Sequence, residues 1–558
     1  MIAQIIPYTR TIRGKEFFDY AIPEGMVVTP GMVVIIPFRS LKIFGLVWNV
    51  GKTSVHIKLR PIISVVTNDL WGNSERQHFL QWFAAYYAIS LPHAWKTMQY
   101  PLLKKPKPIA HSIFALHKEH STTTVRIPYS QVQHIQEAIK TIASSRINLV
   151  HYSHRDDCLA FYLSYVQRSQ GTTLIIIPEY HTMKALASAL QHIPICIVPD
   201  NASPSFWHAL VETLHHNSNA PRIVLATKKA MFLPMQYFQT VILDQEHSAF
   251  HKQVDLNPRY HVRDLFYKLA GQKQKQMATP WPIFILTSHA PSMEAEYHKQ
   301  QHHDVSIDIR RPASSARVMV VNMEDEKRNK NYSWFSEALL HRISTSQHAL
   351  LFLNRTGRFS VAICNDCSTI LPLETTVCSH CHGAHIRFAS KGTERLEEEL
   401  HELFPQKKIF RIDRHQDEKQ LATDEWKDAE IIVGTEKIFR FVPLHFFDLI
   451  GILSIDHLLV YPHFQAHERV FQLLTMLFFS GRPVIIQTHA PEHPLISAAV
   501  TNSYDTYAKN ELEIRTVLKL PPIYPAIQLI DTKTKKRVRL QGTLDVSTLS
   551  PTTVVDRL

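Results

Sequence analysis

The first hundred residues alternate short apolar segments with turn residues, and this pattern predicts a β-rich N-terminal domain. The predicted strands are Met26–Val28, Met32–Pro37 and Phe44–Val50, which are rich in β-branched residues and separated by Pro-Glu-Gly and Pro-Gly turns. A helix is predicted over Ser74–Ile89. The basic stretch Lys104–Pro108 then predicts a linker, because its prolines interrupt regular structure.

From about residue 130, buried apolar runs alternate with helical segments. Such runs are typical of parallel strands that helices cover on both faces. The first set is Ile147–Val150, Leu174–Ile177, Ile195–Val198, Ile223–Leu225, Thr240–Leu243 and Ile283–Leu286. The second set is Arg317–Val321, Ala349–Leu353, Lys408–Ile412, Ile431–Val433, Leu449–Leu453 and Val484–Gln487. The chain is therefore predicted to be an α/β protein with two RecA-like lobes, followed by a basic, weakly patterned C-terminal stretch.

Length and composition place the chain among globular proteins of several domains. It has 558 residues, of which 45% are hydrophobic and 20% charged. The most apolar window, His445–Val460, contains Asp448 and Asp456 and is too short to span a bilayer, so we expect buried strands there and no membrane association. The start, MIAQIIPYTR, lacks the features of a signal peptide, and a cytoplasmic protein is expected. The net charge of +12 favours a polyanionic partner such as nucleic acid.

A cluster of cysteines predicts a metal site. Cys364 and Cys367 form one C-x-x-C knuckle, and Cys378 and Cys381 form a second one shortly after it. Four thiolates at this spacing can bind one tetrahedral zinc ion. The alternatives are four free thiols or a disulfide, of which the disulfide is disfavoured because nothing marks the chain as secreted.

Short motifs along the chain resemble those of one family, and they occur in the family's order. The motifs are Phe18-Asp19-Tyr20, Pro23-Glu24-Gly25, Asp244-Gln245-Glu246-His247, Lys252-Gln253, Pro258–Asp264, Leu351–Gly357, Gly392–Glu398, Arg411–Arg414, Gly434-Thr435, Glu468–Thr475 and Gln487–Pro494. Over roughly residues 1 to 526 the chain is similar to the PriA family, the primosomal helicases that restart bacterial DNA replication at stalled forks.

The resemblance implies a domain order with some of the family's parts missing. It places the 3′-end DNA-binding domain at 1–103, a linker without the family's winged helix at 104–128, lobe 1 at 129–310, lobe 2 at 311–510, the zinc-binding insertion at 362–390 and a truncated C-terminal remnant at 511–558. Family members have eight cysteines on two metals. Here only the outer two knuckles remain, and in the family these share one zinc.

The expected P-loop between the first strand of lobe 1 and its helix is degenerate. The segment from His151 to Leu159 includes Tyr152, Arg155, Asp157, Cys158 and Leu159 but no glycine and no Gly-Lys-Ser/Thr. A P-loop requires glycines for its backbone to wrap the phosphates and a lysine to reach them. Two carboxylates here would also repel a triphosphate. We therefore expect a plain strand-to-helix turn.

Three other catalytic elements of the family are altered as well. In Asp244-Gln245-Glu246-His247 the second position, which polarises water in the family, is a glutamine that cannot act as a base. The coupling motif Gly-Ser-Ala-Thr-Pro is replaced by Thr287–Pro291, and the segment that supplies the arginine finger is reduced to Leu477–Arg482. Four altered elements predict that ATP hydrolysis is lost, which leaves bound ATP and magnesium doubtful and the acidic motif vestigial.

The resemblance assigns DNA contacts to the N-terminal domain. It implies that Phe18 stacks on a terminal base and that Asp19 accepts a hydrogen bond from the 3′-hydroxyl, with Tyr20 beside them. Arg39 stands in place of a family glycine, and Arg60 aligns with a family lysine, so closure of the pocket is an open question. The alternative is that Phe18 and Tyr20 are core residues of a strand.

A second DNA contact is implied for the loop that couples DNA to the motor in the family. Phe250, Tyr260 and His261 could stack on single-stranded bases. Alternatively, the charged residues next to them, Arg259, Arg263 and Asp264, form only a structural salt-bridge cluster.

The expected function is recognition of forked DNA and nascent 3′ ends in replication restart, with helicase activity lost. Forked or single-stranded DNA, replication-restart proteins and single-strand-binding proteins are the implied partners of a monomeric, nucleoid-associated protein. One alternative is an active ATP-dependent 3′-to-5′ helicase with a divergent nucleotide site. A second is a decayed scaffold without function.

Overall fold

The computed structural model has two compact units, residues 1–309 with 512–558, and residues 310–511. The predicted linker Lys104–Pro108 lies outside the described residues, as do Asn354–Gly357, Gly392 and Arg414 of the motifs. The described residues are 1–9, 11, 16–51, 58–67, 74–99, 127–144, 146–178, 180–190, 193–216, 220–272, 281–311, 318–353, 361–367, 370–371, 376–378, 380–389, 393–413, 425–459, 463–531, 534, 536–541 and 553–557.

The N-terminal domain is an antiparallel sheet in the order β2-β1-β4-β3-β5. Alternation along the strands gives the sheet two buried faces. Ala3 and Ile5 pack on one side, whereas Ile6 and Leu46 pack toward the helices that follow. Its elements are Ile2–Pro7 (β1), Phe18–Ala21 (β2), Val33–Phe38 (β3), Leu41–Gly51 (β4), Ser64–Thr67 (β5), Ser74–Tyr86 (α1) and Leu91–Met98 (α2). Met26–Val28, predicted as a strand, is irregular because it lies in the connection after the Gly25 turn.

Lobe 1 is a parallel sheet in the order β12-β6-β11-β10-β7-β9-β8. Its strands are Ile147–His151 (β6), Thr173–Ile176 (β7), Ile195–Ile197 (β8), Ile223–Ala226 (β9), Thr240–Leu243 (β10), Ile283–Ser288 (β11) and Val305–Asp308 (β12). Its helices are Tyr129–Lys140 (α3), Arg155–Arg168 (α4), Tyr180–Ala189 (α5), Pro204–His216 (α6), Val262–Gly271 (α7) and Met293–His302 (α8). The carboxyl ends of β6, β10 and β11 are neighbours, the place where open α/β sheets bind ligands.

The second unit contains another parallel sheet, in the order β13-β21-β20-β14-β19-β18, and a small sheet in the order β16-β15-β17. Its strands are Val318–Asn322 (β13), Ala349–Leu353 (β14), Val361–Cys364 (β15), Ile370–Leu371 (β16), Ile386–Ala389 (β17), Ile409–Ile412 (β18), Ile431–Gly434 (β19), Leu449–Ser454 (β20) and Val484–Thr488 (β21). Its helices are Met323–Arg328 (α9), Glu337–Thr345 (α10), Thr393–Leu403 (α11), Ile438–Phe441 (α12), Asp456–Leu459 (α13), Ala466–Phe478 (α14) and Pro494–Val500 (α15), and Tyr504–Val517 (α16) continues into the first unit. The predicted α/β fold with two parallel-sheet lobes is confirmed. The window His445–Val460 holds one strand and a short helix, not several strands.

The C-terminal residues form an antiparallel sheet in the first unit that the sequence pattern did not predict. Its strands are Ala526–Asp531 (β22), Arg537–Gln541 (β23) and Thr553–Arg557 (β24), in the order β23-β22-β24. Ile527 and Val555 pack against Ala88 at the end of α1. All residues of β23 are exposed. Its sequence is therefore polar and basic and lacks the alternation of apolar and polar residues that marks a half-buried strand.

Within the described part of the chain, no helix is long and apolar enough to cross a membrane.

Candidate functional site

The acidic residue at the end of β10 forms an ion pair with the first residue of α4. Arg155 donates from both terminal nitrogens to Asp244, with NH1–Oδ1 at 2.5 Å and NH2–Oδ2 at 2.7 Å. The carboxylate is fully buried, whereas about a third of the arginine side chain (34%) reaches solvent. A bidentate pair of this kind uses both carboxylate oxygens at once.

Two hydroxyl groups complete the surroundings of Asp244. Tyr162 donates to Oδ1 at 2.6 Å, and Thr287 approaches the same oxygen at 3.3 Å. Burial alone would raise the pKa of Asp244, but Arg155 and these hydrogen bonds hold it below its ordinary value. The carboxylate is therefore charged and already neutralised by a side chain of the protein itself.

The turn before α4 is closed by backbone hydrogen bonds, and the side chains around it are buried. The carbonyl of His154 accepts hydrogen bonds from the amides of Asp157 and Cys158, which begins the helix. Tyr152 and Leu159 are buried, as are Asp157 and Cys158. Burial raises the pKa of the Cys158 thiol to about 12, so the thiol is neutral. A plain strand-to-helix turn is what the missing glycines predicted.

The residues after Asp244 also have internal partners. Both oxygens of Glu246 accept hydrogen bonds, from the Ser292 amide at 2.7 Å and from the Ser292 hydroxyl at 2.8 Å. A terminal guanidinium nitrogen of Arg263 lies 3.2 Å from Oε2 of Glu246. Burial raises the pKa of Glu246. Nδ1 of His247 lies 2.6 Å from the Ser288 hydroxyl. Gln245, which lies between Asp244 and Glu246, has a left-handed φ of 49° and turns the chain there.

The histidines around this edge of the sheet are held neutral. Burial, followed by the neighbouring His289, lowers the pKa of His247 well below its usual range. Burial also lowers the pKa of His251 to about 4, although its Nε2 donates to the carbonyl of Asp244 at 2.8 Å. Uncharged imidazoles add no positive charge to attract a polyphosphate.

In the N-terminal domain, the predicted DNA-contacting residues lie on β2 and on the turn between β3 and β4. Phe18 is half-buried and meets Phe38 edge to face at 5.1 Å. Tyr20 is buried, and its hydroxyl donates to the carbonyl of Pro37 at 3.0 Å. Tyr20 is therefore a core residue of its strand, which is the alternative given for it above. Phe18 keeps part of its ring accessible.

Two arginines flank this aromatic pair. Arg39 has a left-handed φ of 55°, which is the conformation that glycine adopts most readily. Arg60 donates from NH1 to the carbonyl of Arg39 at 2.8 Å. Both arginines are exposed, and the guanidinium of Arg39 lies 6.0 Å from the centre of the Phe38 ring, so positive charge lies beside the ring that Phe18 contacts.

The predicted residues of the second DNA contact lie in or next to the loop from Lys252 to His261, called here the 252–261 loop, and they differ in exposure. Phe250, just before the loop, is 48% exposed. Tyr260 is only 6% exposed and packs against Phe83 and Phe232, so its ring is not available for stacking on a base. This placement contradicts the prediction for Tyr260.

His261 and the charged residues beside it also have structural contacts. Nδ1 of His261 accepts from the amide of Arg263 and caps α7. Arg263 pairs with Glu246 and Glu294, and Asp264 accepts from the Tyr87 hydroxyl. These contacts favour the alternative of a structural cluster at this end of the loop.

The four cysteines of the knuckles converge on one point. Their sulfur atoms all lie within 4.8 Å of one another. Cys364 and Cys381 are 3.4 Å apart, and Cys367 and Cys378 are 3.5 Å apart, which is too far for a disulfide bond of about 2.05 Å. Tetrahedral zinc with sulfur at about 2.3 Å places its ligands about 3.8 Å apart. The cluster can therefore hold one metal ion.

Sequence reasoning missed some of the residues that surround Asp244 and Glu246. Arg155 was recognised only as part of a degenerate P-loop, and Tyr162 and Ser292 were not considered. No local motif marks them, because their partners Asp244 and Glu246 are distant in the chain. A basic residue directly before two acids at a helix start was the one available signal.

The fold and the candidate sites together describe an α/β protein with two parallel-sheet lobes, an N-terminal antiparallel sheet and a four-cysteine cluster. The family model "3'DNA-binding domain (3'BD)" of PriA matches residues 7–99. Among curated proteins, the replication restart protein PriA of Rickettsia felis is 26% identical and aligns over 92% of this chain and 84% of its own length. The chain is therefore similar to the PriA replication restart proteins over nearly all of its length.

Other relatives match over a shorter span. PriA of Bacillus subtilis is 30% identical over 54% of this chain, and PriA of Synechocystis is 28% identical over 57% of it. These matches span 42% and 44% of the two relatives, less than half of their length.

Solved structures resemble the chain only distantly. A structure of RecG bound to a three-way DNA junction has a TM-score of 0.41 and 12% identity and covers 79% of this chain and 53% of RecG. Helicase Lhr of Mycobacterium smegmatis, bound to single-stranded DNA and AMP-PNP, has a TM-score of 0.38 and 15% identity and covers 69% of this chain and 48% of Lhr. Such scores carry no weight for function.

Proposed function

We propose that this chain is a PriA-family protein that recognises forked DNA and nascent 3′ ends and supports replication restart without hydrolysing ATP. The observation that carries the proposal is the ion pair between Arg155 and Asp244. In the family, the equivalent acid holds magnesium. Here a guanidinium group covers both of its oxygens.

Electrostatics explains why the pair would exclude a magnesium nucleotide. Magnesium binds through carboxylate oxygens and phosphates in near-ideal octahedral geometry. To reach Asp244 it would have to displace Arg155 and leave that cation unpaired next to a divalent ion. The exposed carboxylate of Asp156 in the first turn of α4 would in addition repel the triphosphate.

DNA recognition is supported by parts of the chain that remain intact. The match to the 3′DNA-binding domain covers residues 7–99, and the half-buried ring of Phe18 lies beside Arg39 and Arg60. Phosphate contacts by such arginines supply affinity, while an accessible ring can stack on a terminal base. In this proposal the four-cysteine site holds one zinc ion, and the DNA-bound protein recruits other restart proteins to reload the replisome.

The purified protein is expected to release no phosphate from ATP, with or without forked DNA. Loss of one group of the phosphoryl-transfer machinery can cost on the order of a thousandfold in rate, and four elements are altered here. A phosphate-release assay at saturating ATP and magnesium measures this. The variant Asp244→Ala identifies contaminants, because activity that survives it does not come from this site. Placing a lysine alone, Cys158→Lys, should not revive turnover. Steady DNA-stimulated release that Asp244→Ala abolishes would promote the helicase alternative.

Binding to DNA is expected to depend on the 3′ terminus through Asp19. The unmodified protein should prefer a 3′-hydroxyl end over a 3′-phosphate end, because the Asp19 carboxylate accepts from the hydroxyl and repels the phosphate. Asp19→Ala should remove most of this preference and leave duplex binding nearly unchanged. Fluorescence anisotropy with matched primer–template duplexes, at two salt concentrations, measures both effects.

A charge-matched control separates this effect from a general change in charge. Asp428 is exposed and lies in the second unit, so Asp428→Ala removes the same charge without touching the N-terminal domain. It should keep the preference. Equal binding of both ends by the unmodified protein would contradict the assignment of Asp19.

A further inference from the structure

The carboxylate of Asp556, in the last strand of the C-terminal sheet, lies between two basic side chains of the 252–261 loop. Lys252 Nζ is 2.6 Å from Oδ1, and Arg259 NH1 is 3.3 Å from Oδ2. The Asp556 side chain is 8% exposed, so the two ion pairs are largely sheltered from water and salt. One carboxylate therefore joins both arms of the loop.

Backbone contacts fix the same strand to its surroundings. Lys252 Nζ also donates to the carbonyl of Arg557 at 2.8 Å, and the backbones of Arg259 and Asp556 form a parallel bridge. On the other side, Nε of Arg557 donates to the carbonyl of Tyr86 at 2.8 Å. The strand is thereby attached to α1, and it can serve as a rigid support for the loop.

Beyond its base, the loop contacts α2, because the carbonyl of Asn257 accepts a hydrogen bond from Nε2 of His93 at 2.9 Å. The backbones of Lys252 and His261 form an antiparallel bridge, and the amide of Gln253 donates to the carbonyl of Tyr260 at 2.8 Å. The tip is exposed, and it carries Val254 and Leu256, the latter 63% exposed. Its geometry therefore depends on the contact with His93 and on what holds the base.

We propose that Asp556 is a positioning residue that fixes the 252–261 loop, so that Phe250 and the exposed tip meet DNA in one orientation. This role rests on the proposed function for its DNA contact. Without the carboxylate, Lys252 and Arg259 would be two like charges held close together, and their repulsion would push the arms of the loop apart. The C-terminal strand thus takes part in DNA contact through the loop and touches no DNA itself.

The substitution Asp556→Asn tests this role because it keeps the size of the side chain and removes its charge. Hydrogen exchange at the Gln253 amide should become about tenfold faster, as expected when a sheltered ion pair no longer restrains a local opening. Affinity for single-stranded DNA should fall about threefold to tenfold by the same loss of pre-organisation. Asp556→Glu retains the charge and should restore most of both properties.

A matched control lies in the same unit. Glu296 pairs with Lys299 at 2.7 Å with comparable burial but has no contact with the loop, so Glu296→Gln should alter neither exchange at Gln253 nor DNA affinity. Unchanged exchange in Asp556→Asn would overturn the restraint itself. Faster exchange with unchanged DNA affinity would overturn the positioning role while the Asp19 experiment still supports DNA recognition. An unmodified protein that binds no DNA would overturn the proposed function and this role together.

Discussion

Replacing Cys364 with serine is expected to release the metal ion and to unfold the knuckle locally. Structural zinc sites of this size draw their folding energy from the metal, with about 10–16 kcal/mol of binding free energy at neutral pH. Cys364 is fully buried and ends β15, so its loss removes a ligand and the connection to the small sheet at once. Metal analysis should fall from one zinc per chain to nearly none, and hydrogen exchange should rise over the described parts of 361–389.

A buried cysteine outside the cluster provides the control. Cys196 lies in the core of lobe 1, and Cys196→Ser should keep one zinc per chain even if it lowers stability slightly. Two metal ions per unmodified chain, or full retention of zinc by Cys364→Ser, would contradict the four-cysteine assignment.

Replacing Arg155 with alanine is expected to destabilise the first unit by about 3 kcal/mol, the lower end for breaking a buried pair because a third of the arginine side chain reaches solvent. The cost arises from Asp244, which would stay buried and charged without its cation. Equilibrium denaturation at pH 7 measures the change in the free energy of unfolding. Arg146→Ala, which removes an exposed arginine that donates only to the carbonyl of His303, should cost less than about 1 kcal/mol.

The pH dependence gives this prediction a second readout. In the unmodified protein the lowered pKa of Asp244 contributes stability above pH 3.8, and this contribution is lost as the pH falls further. In Arg155→Ala, burial without the cation raises the pKa of Asp244, so protonation relieves the penalty and the two proteins should converge from pH 7 toward pH 5. The double variant with Asp244→Asn should recover most of the stability. A constant difference across this range would contradict an unpaired Asp244 as the cause.

Much of the fold follows from patterns between neighbouring residues. The predicted strands of lobe 1 overlap β6 to β11 because a strand buried on both faces must be apolar along its whole length. Two C-x-x-C knuckles converge because each fixes two sulfurs on one turn, and only the distance between knuckles remains to be closed. β12 and β23 escaped prediction because such edge strands are partly or fully exposed and carry polar residues.

Contacts between residues that are distant in the chain could be predicted from the sequence only in part. The missing glycines after β6 predict that no backbone cradle for phosphates forms there. The sequence did not show that Arg155 would turn onto Asp244, or that Tyr260 would be buried while Phe250 stayed exposed. Each of these outcomes depends on how helices and loops pack on the sheet.

What the sequence alone determined was therefore the two parallel-sheet lobes, the four-cysteine cluster and the absence of a P-loop, since each resides in local periodicity or spacing. Only the tertiary structure decided that Arg155 and Asp244 form an ion pair and that Asp556 joins Lys252 and Arg259. The physical reason is that an ion pair needs its two charges within about 4 Å, and residues about 90 or 300 positions apart in the chain reach that distance only when the fold brings their elements together.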